Sequence, residues 1–188
     1  MELSATRSKP PCPSVLILSC GNPSRGDDAL GSLFIERLEA VQTQLGRDAV
    51  ELLTDFQLQI EHVVDLEGRA LALFVDASIS CPPPCQLTRI QPGCDTSYTS
   101  HALSPAAVLH VYQQVHRFSP PPAFQLAIRG EHFELGEPLS AAAAVNLEAA
   151  LAFTERLLAR PDVETWQQWT SFGAIDLNHN QADCAAEH

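Results

Sequence analysis

The sequence predicts an α/β fold, a three-layer α/β/α sandwich around a mostly parallel five-stranded sheet. Short apolar runs of strand length alternate with longer segments whose apolar residues recur at helical spacing, which is the pattern of strands joined by crossover helices. The runs end in turn-forming residues or in aspartate. With 188 residues and 45% hydrophobic content the chain is long enough for one substantial core, so a single domain is expected over residues 15–160.

The elements follow in order. Val15-Leu-Ile-Leu-Ser-Cys20 reads as a buried strand, ended by the turn residues Gly21-Asn-Pro-Ser-Arg-Gly26. Leu30, Leu33, Phe34, Leu38 and Val41 define one face of a helix, with Asp27 or Asp28 as its N-cap and Gly46 as its stop. Ala49–Thr54 reads as a strand and Gln57–Glu67 as a helix with Ile60, Val63 and Val64 inward. Ala70–Val75 is a strongly apolar strand closed by Asp76, and Cys85–Ile90 is a weaker one. Pro105–Phe118 reads as a helix, Phe124–Ile128 as the fifth strand, and Ser140 caps a long helix through Leu158. Residues 1–14 are rich in Pro and Ser and read as a flexible N-terminus. Residues 161–188 carry five acids, no Lys or Arg and both tryptophans, and read as an acidic extension, either docked on the core or on a partner or partly disordered.

Composition excludes several classes of function. Eleven Lys and Arg against 23 Asp and Glu give a net charge of −12. Such a surface neither neutralises phosphates nor gains from an anionic membrane, so neither nucleic acid nor a membrane is an expected partner. Lys9 is the only lysine, which disfavours Walker-type phosphate binding, Schiff-base chemistry and Ser-Lys dyads within the fold. Met1–Ser14 lacks the apolar run of a secretory signal, so the protein is expected to be cytoplasmic and its six cysteines reduced. Cys81-Pro-Pro-Pro-Cys85 followed by Cys94 lacks the spacing of a zinc site and reads as a proline-stiffened loop carrying free thiols. There is no H-E-x-x-H helix and no G-x-S-x-G elbow, which leaves Ser24 a poor nucleophile.

Ligands of parallel sheets lie at the carboxyl ends of the strands. Asp27 and Asp28 follow the first strand, Asp55 the second and Asp76 the third. Acids before a helix can simply cap it, whereas an aspartate closing a run as apolar as Leu71–Val75 needs a hydrogen bond, a counter-charge or a cation. His101 lies in a polar loop ahead of the Pro105 helix. Two carboxylates and an imidazole meeting at one strand-end edge would suit a divalent ion such as nickel or zinc.

Val15 through Gly31 resembles the N-terminal signature of the [NiFe]-hydrogenase maturation endopeptidases (peptidase family M52): an apolar strand, Gly-Asn, a short loop, an acidic pair, then a helix. Phe74-Val-Asp-Ala77 is similar to that family's third strand, Ser100-His101 to its histidine loop, and Gly136-Glu-Pro-Leu-Ser140 to its entry into the final helix. Thr54–Gln59 and Phe133–Gly136 look closest to the branch serving cytoplasmic, NAD-reducing hydrogenases. The resemblance implies a twisted, mostly parallel sheet and an endopeptidase that removes the C-terminal extension of the hydrogenase large-subunit precursor after nickel insertion. It also implies Asp28, Asp76 and His101 as contacts to nickel supplied by the precursor. Alternatively, Asp27 or Asp28 acts as general base toward water with no catalytic metal. Two other readings use the same residues: a non-catalytic nickel-site chaperone of the large subunit, and a receiver-like signalling domain phosphorylated on Asp76.

Overall fold

The computed structural model describes residues 14–45, 49–94 and 103–170. Gly46, the expected helix stop, and residues 1–13 and 171–188 lie outside them. In chain order the elements are β1 (Val15–Cys20), a 3-10 turn (Gly26–Ala29), α1 (Leu30–Leu45), β2 (Val50–Asp55), α2 (His62–Asp65), β3 (Leu71–Ser78), β4 (Cys85–Ile90), α3 (Pro105–His116), β5 (Ala123–Arg129), α4 (Ala141–Ala159) and α5 (Val163–Trp169). The five strands form one sheet in the order β2-β1-β3-β5-β4. The first four pair in parallel, while β4 runs antiparallel to β5 and closes one edge.

Alternation along the strands generates the three layers. Val15 and Ile17 of β1, with Leu71, Leu73 and Val75 of β3, pack beneath α1, α4 and α5. Leu16 and Leu18, with Ala72 and Phe74, pack beneath α2 and α3 on the opposite face. A strand buried on both faces must be apolar at every position, which is why β1 and the first part of β3 read as unbroken apolar runs. The helix starts follow capping chemistry: Ser104 Oγ accepts from Ala107 N at 3.1 Å, and Ser140 Oγ accepts from Ala143 N at 3.1 Å.

Two expectations are corrected. β3 continues past Asp76 to Ser78, because β5 pairs with it through Asp76↔Ala127 and Ser78↔Arg129. The expected Gln57–Glu67 helix is reduced to α2, with Val63 buried but Ile60 and Val64 exposed. Asp55 holds the preceding segment in a turn, its carboxylate accepting from Phe56 N at 2.6 Å and from Gln59 Nε2 at 3.2 Å. The Leu58 carbonyl accepts from Leu103 N at 3.2 Å instead of from a helical turn. Of the residues after 160, those described, 161–170, dock on the core, one of the alternatives the sequence left open. Trp166 is completely buried, its Nε1–H donates to the Leu157 carbonyl at 2.9 Å, and its ring meets Phe124 edge-on at 5.3 Å. Arg89 lies over the Phe124 ring and donates to Gln167 Oε1 at 3.0 Å, tying α5 to β4.

Because Trp166 fills core space between α4 and β5, Trp166→Ala should cost about 3–5 kcal/mol. The expected outcome is a lower urea midpoint with an unchanged slope.

Candidate functional site

The parallel pairing places the carboxyl ends of β1, β2, β3 and β5 on one edge of the sheet, and the loops leaving those ends form the candidate site. The loop after β1 folds back on itself. Gly21 N donates to the Asp55 carbonyl at 3.2 Å, and Asn22 N donates to Asp28 Oδ2 at 3.0 Å. Helix α1 starts hard against the strand: a Cβ on Gly31 would lie 2.1 Å from the Cys20 carbonyl oxygen, so only glycine fits there. Ser19 Oγ, fully buried in β1, donates to the Gly31 carbonyl at 2.9 Å and locks that approach.

Asp27 is completely buried. Its carboxylate accepts from Glu131 N at 2.8 Å, His132 N at 3.0 Å, Ser140 N at 2.8 Å and Ser140 Oγ at 3.1 Å. Burial alone would raise its pKa, but the backbone N–H groups of Glu131, His132 and Ser140 outweigh it and hold the carboxyl below its ordinary value. The surrounding backbone completes the tie, with Asp27 N donating to the His132 carbonyl at 2.7 Å and Gly26 N to the Glu137 carbonyl at 3.0 Å. Gly26 has φ +54°, and a Cβ there would meet the His132 carbonyl oxygen at 2.5 Å. Asp27 therefore pins the loop between β5 and α4 onto the turn after β1. Of the two acids named as alternative general bases, Asp27 is the one whose carboxylate is already committed, buried and held by four donors. Neither acid caps α1 by its side chain; Asp27 holds the β5–α4 loop and Asp28 receives Asn22.

Asp28 and Asp76 face a different environment. The Asp76 carboxyl is pushed up to about 6, chiefly by burial and further by the charge of Asp28, against a lowering hydrogen bond from Ala77 N. Cys20 is pushed up to about 12 by burial and by the charges of Asp76, Asp55 and Asp28. Three carboxylates at the ends of β1, β2 and β3 thus act on one thiol, which stays neutral and is no nucleophile. His101, the expected third metal contact, lies outside the described residues. Among the described residues no three His, Cys, Asp or Glu side chains are grouped closely enough to hold a metal ion. Cys81 and Cys85 are free and buried, whereas Cys94 is exposed with its sulfur 3.2 Å from His110 Nε2.

Asp55 and His62 flank the site without having been singled out for it from the sequence. His62 is buried within α2; its Nδ1 accepts from Gln59 N at 2.9 Å, which leaves the proton on Nε2, 3.6 Å from Asp55 Oδ2. The strand-end position of Asp55 was a usable signal. For His62 there was none, since its contact to Asp55 depends on the non-helical turn between them.

Asp27 and Asp76 should move stability in opposite directions. The lowered pKa of Asp27 contributes stability that is present above the ordinary carboxylate pKa and lost as pH falls through the folded value. Asp27→Ala leaves three backbone donors without their carboxylate acceptor and should cost about 2–4 kcal/mol at neutral pH. The raised pKa of Asp76 favours the folded state below the ordinary carboxylate value, and that advantage is lost as pH rises through about 6. Asp76→Asn should therefore raise stability at pH 7.5 by roughly 1–3 kcal/mol and remove that component of the pH dependence. Urea denaturation of both variants between about pH 4 and 8 checks the two signs.

No family model and no curated protein sequence matches this chain. Solved structures do. A [NiFe] hydrogenase maturation protease HycI from Thermococcus kodakarensis KOD1 superposes with a TM-score of 0.62 at 20% identity, covering 79% of this chain and 94% of the other. The hydrogenase maturating endopeptidase HybD from E. coli gives a TM-score of 0.60 at 23% identity, over 78% of this chain and 93% of its own. An endopeptidase from Escherichia coli solved in solution gives 0.61 at 23% identity, over 79% and 94%. The chain shares the fold of these three proteins over nearly their whole length.

Proposed function

We propose that this protein is an endopeptidase that removes the C-terminal extension from the nickel-loaded large-subunit precursor of a [NiFe] hydrogenase, in the cytoplasm and for an NAD-reducing enzyme. The observation that carries the reading is the pair Asp28 and Asp76 on adjacent strand ends, where burial of Asp76 and the charge of Asp28 both raise the Asp76 pKa. A cation at that edge relieves both effects at once. The shared fold with maturation proteases supports the same reading.

In this mechanism the nickel is part of the substrate, and Asp28, Asp76 and His101 complete its coordination. A precursor without nickel then lacks the contact that sets its scissile bond in place, and a misplaced bond forfeits much of what orientation contributes to the rate. When bound, the ion supplies Lewis acidity toward the carbonyl or an attacking water. Asp28 is the member of the acidic pair left to accept a proton from that water, since Asp27 is committed to the β5–α4 loop. The receiver-like alternative fails on topology: that fold has the parallel order 2-1-3-4-5, whereas here β5 lies between β3 and an antiparallel β4.

Mixing the purified protein with nickel-loaded precursor should yield a shortened large subunit by mass spectrometry, while nickel-free precursor stays intact. Asp28→Ala, Asp76→Ala and His101→Ala should each lower the rate by about 100-fold or more, a loss typical of a removed charge-stabilising contact. Full activity in all three would remove the metal-contact reading. Tight binding without any shortening would favour the chaperone.

A further inference from the structure

Three large apolar side chains stand exposed on three different loops of the carboxyl edge: Phe56 at 67%, Ile79 at 65% and Leu135 at 74%. Phe56 follows Asp55 at the end of β2, and Ile79 follows β3, three residues beyond Asp76. Leu135 sits on the loop pinned by Asp27, next to Gly136, whose N–H donates to the Ser24 carbonyl at 2.8 Å. Neither Ile79 nor Leu135 belongs to a helix or strand that would require an apolar residue, and exposure of either costs free energy in the isolated protein. The four edge segments, 21–28, 55–61, 76–84 and 129–140, hold two arginines and eight acids, of which all but the buried Asp27 have some exposed surface. Arg25 and Arg129 are both engaged, the first with the Phe133 carbonyl and the second with Glu131. Glu61 and Glu134 are exposed on opposite sides of the edge.

We infer that this rim is a docking surface for an extended segment of a protein substrate that alternates apolar and basic side chains. The inference rests on the endopeptidase reading and adds the chemistry of the segment that reading leaves open. The apolar side chains cover Phe56, Ile79 and Leu135; the basic ones meet the acids between them. From β2 to β5 is three strand spacings, about 14 Å, which an extended peptide crosses with about four or five residues. Such a segment lies over the ends of β1 and β3, where Asp28 and Asp76 are. The surplus of acids selects against an acidic segment of equal hydrophobicity, because like charges brought together on docking are destabilising.

The test uses capped octapeptides of alternating Leu-Arg, Leu-Glu and Ser-Arg, titrated against the full chain. The Leu-Arg peptide should bind about tenfold more tightly than either of the others at about 0.15 M salt. Ile79→Ser with Leu135→Ser should weaken it about fivefold at every salt concentration. Glu61→Lys with Glu134→Lys should weaken it about tenfold at low salt, and the loss should shrink as salt screens the charges. Both pairs lie on the surface, so an unchanged Tm establishes that the fold is intact. Glu155→Lys with Glu164→Lys, remote from the edge, should leave affinity within about twofold and so separates the rim from net charge. Rim variants that bind like the parent chain, or a remote variant that loses as much as they do, would overturn the inference. Cleavage of nickel-loaded precursor separates the two readings. If the rim variants cleave it with unchanged KM, the docking surface fails and the endopeptidase stands. If no variant and no parent chain cleaves it while the Leu-Arg peptide still binds at the rim, the endopeptidase fails and the surface stands.

Discussion

The arrangement of the carboxyl edge depends on one buried carboxylate. Asp27 has no exposed surface, yet it stays ionised because Glu131 N, His132 N and Ser140 N converge on it together with the Ser140 hydroxyl. These donors belong to a loop that follows Asp27 by more than a hundred residues, so the tie is tertiary and closes the β1 turn against the β5–α4 connection. Desolvating a charge is expensive, and only a full set of donors offsets it. The donors have no equivalent acceptor once the carboxylate is lost. Each side of the tie therefore requires the other, and the position of Asp28, the next residue, follows from it.

The two members of the acidic pair illustrate how environment divides labour between identical side chains. Asp27 is pulled down by hydrogen bonds and serves the fold. Asp28 contributes to pushing Asp76 up, in an arrangement that weakens the isolated protein at neutral pH. In the proposed mechanism a cation at this edge would offset that cost, because binding energy is gained where the free protein is strained electrostatically. The neutral thiol of Cys20 beneath the three carboxylates fits this picture, since a fourth negative charge there would be prohibitive. The exposed apolar residues on the same rim add a second cost of the same kind, in hydrophobic rather than electrostatic terms.

Where the reading from sequence departed from the structure, long-range hydrogen bonding was the cause. The segment from Gln57 to Glu61 has helical apolar spacing, but the Leu103 amide takes the Leu58 carbonyl a helix would need, and the Asp55 carboxylate holds the turn through Phe56 N and the Gln59 side chain. Asp76 resembled a strand terminator because its neighbours toward the N-terminus are so apolar, yet pairing with β5 carries the strand two residues further. Trp166 lay in a segment that composition left open between docking and disorder, and its indole found both a place in the core and a carbonyl partner. Asp28 and Asp76 were legible because parallel strands deliver their carboxyl ends to one edge, whatever their order in the sheet. Asp55–His62 and the Asp27–Ser140 tie were not, since nothing local marks either pair.

What the amino-acid sequence determined by itself was the class of fold, the places where strands and most helices occur, and the edge at which acids collect. Those follow from hydrophobic periodicity, capping and turn chemistry, all of which act over a few residues. Only the tertiary structure decided that β4 inverts, that Asp27 is a buried tie between two loops, and that α5 belongs to the core. Each of these turns on partners far apart in the chain, and the free energy of such a contact exists only after the loops between them have closed.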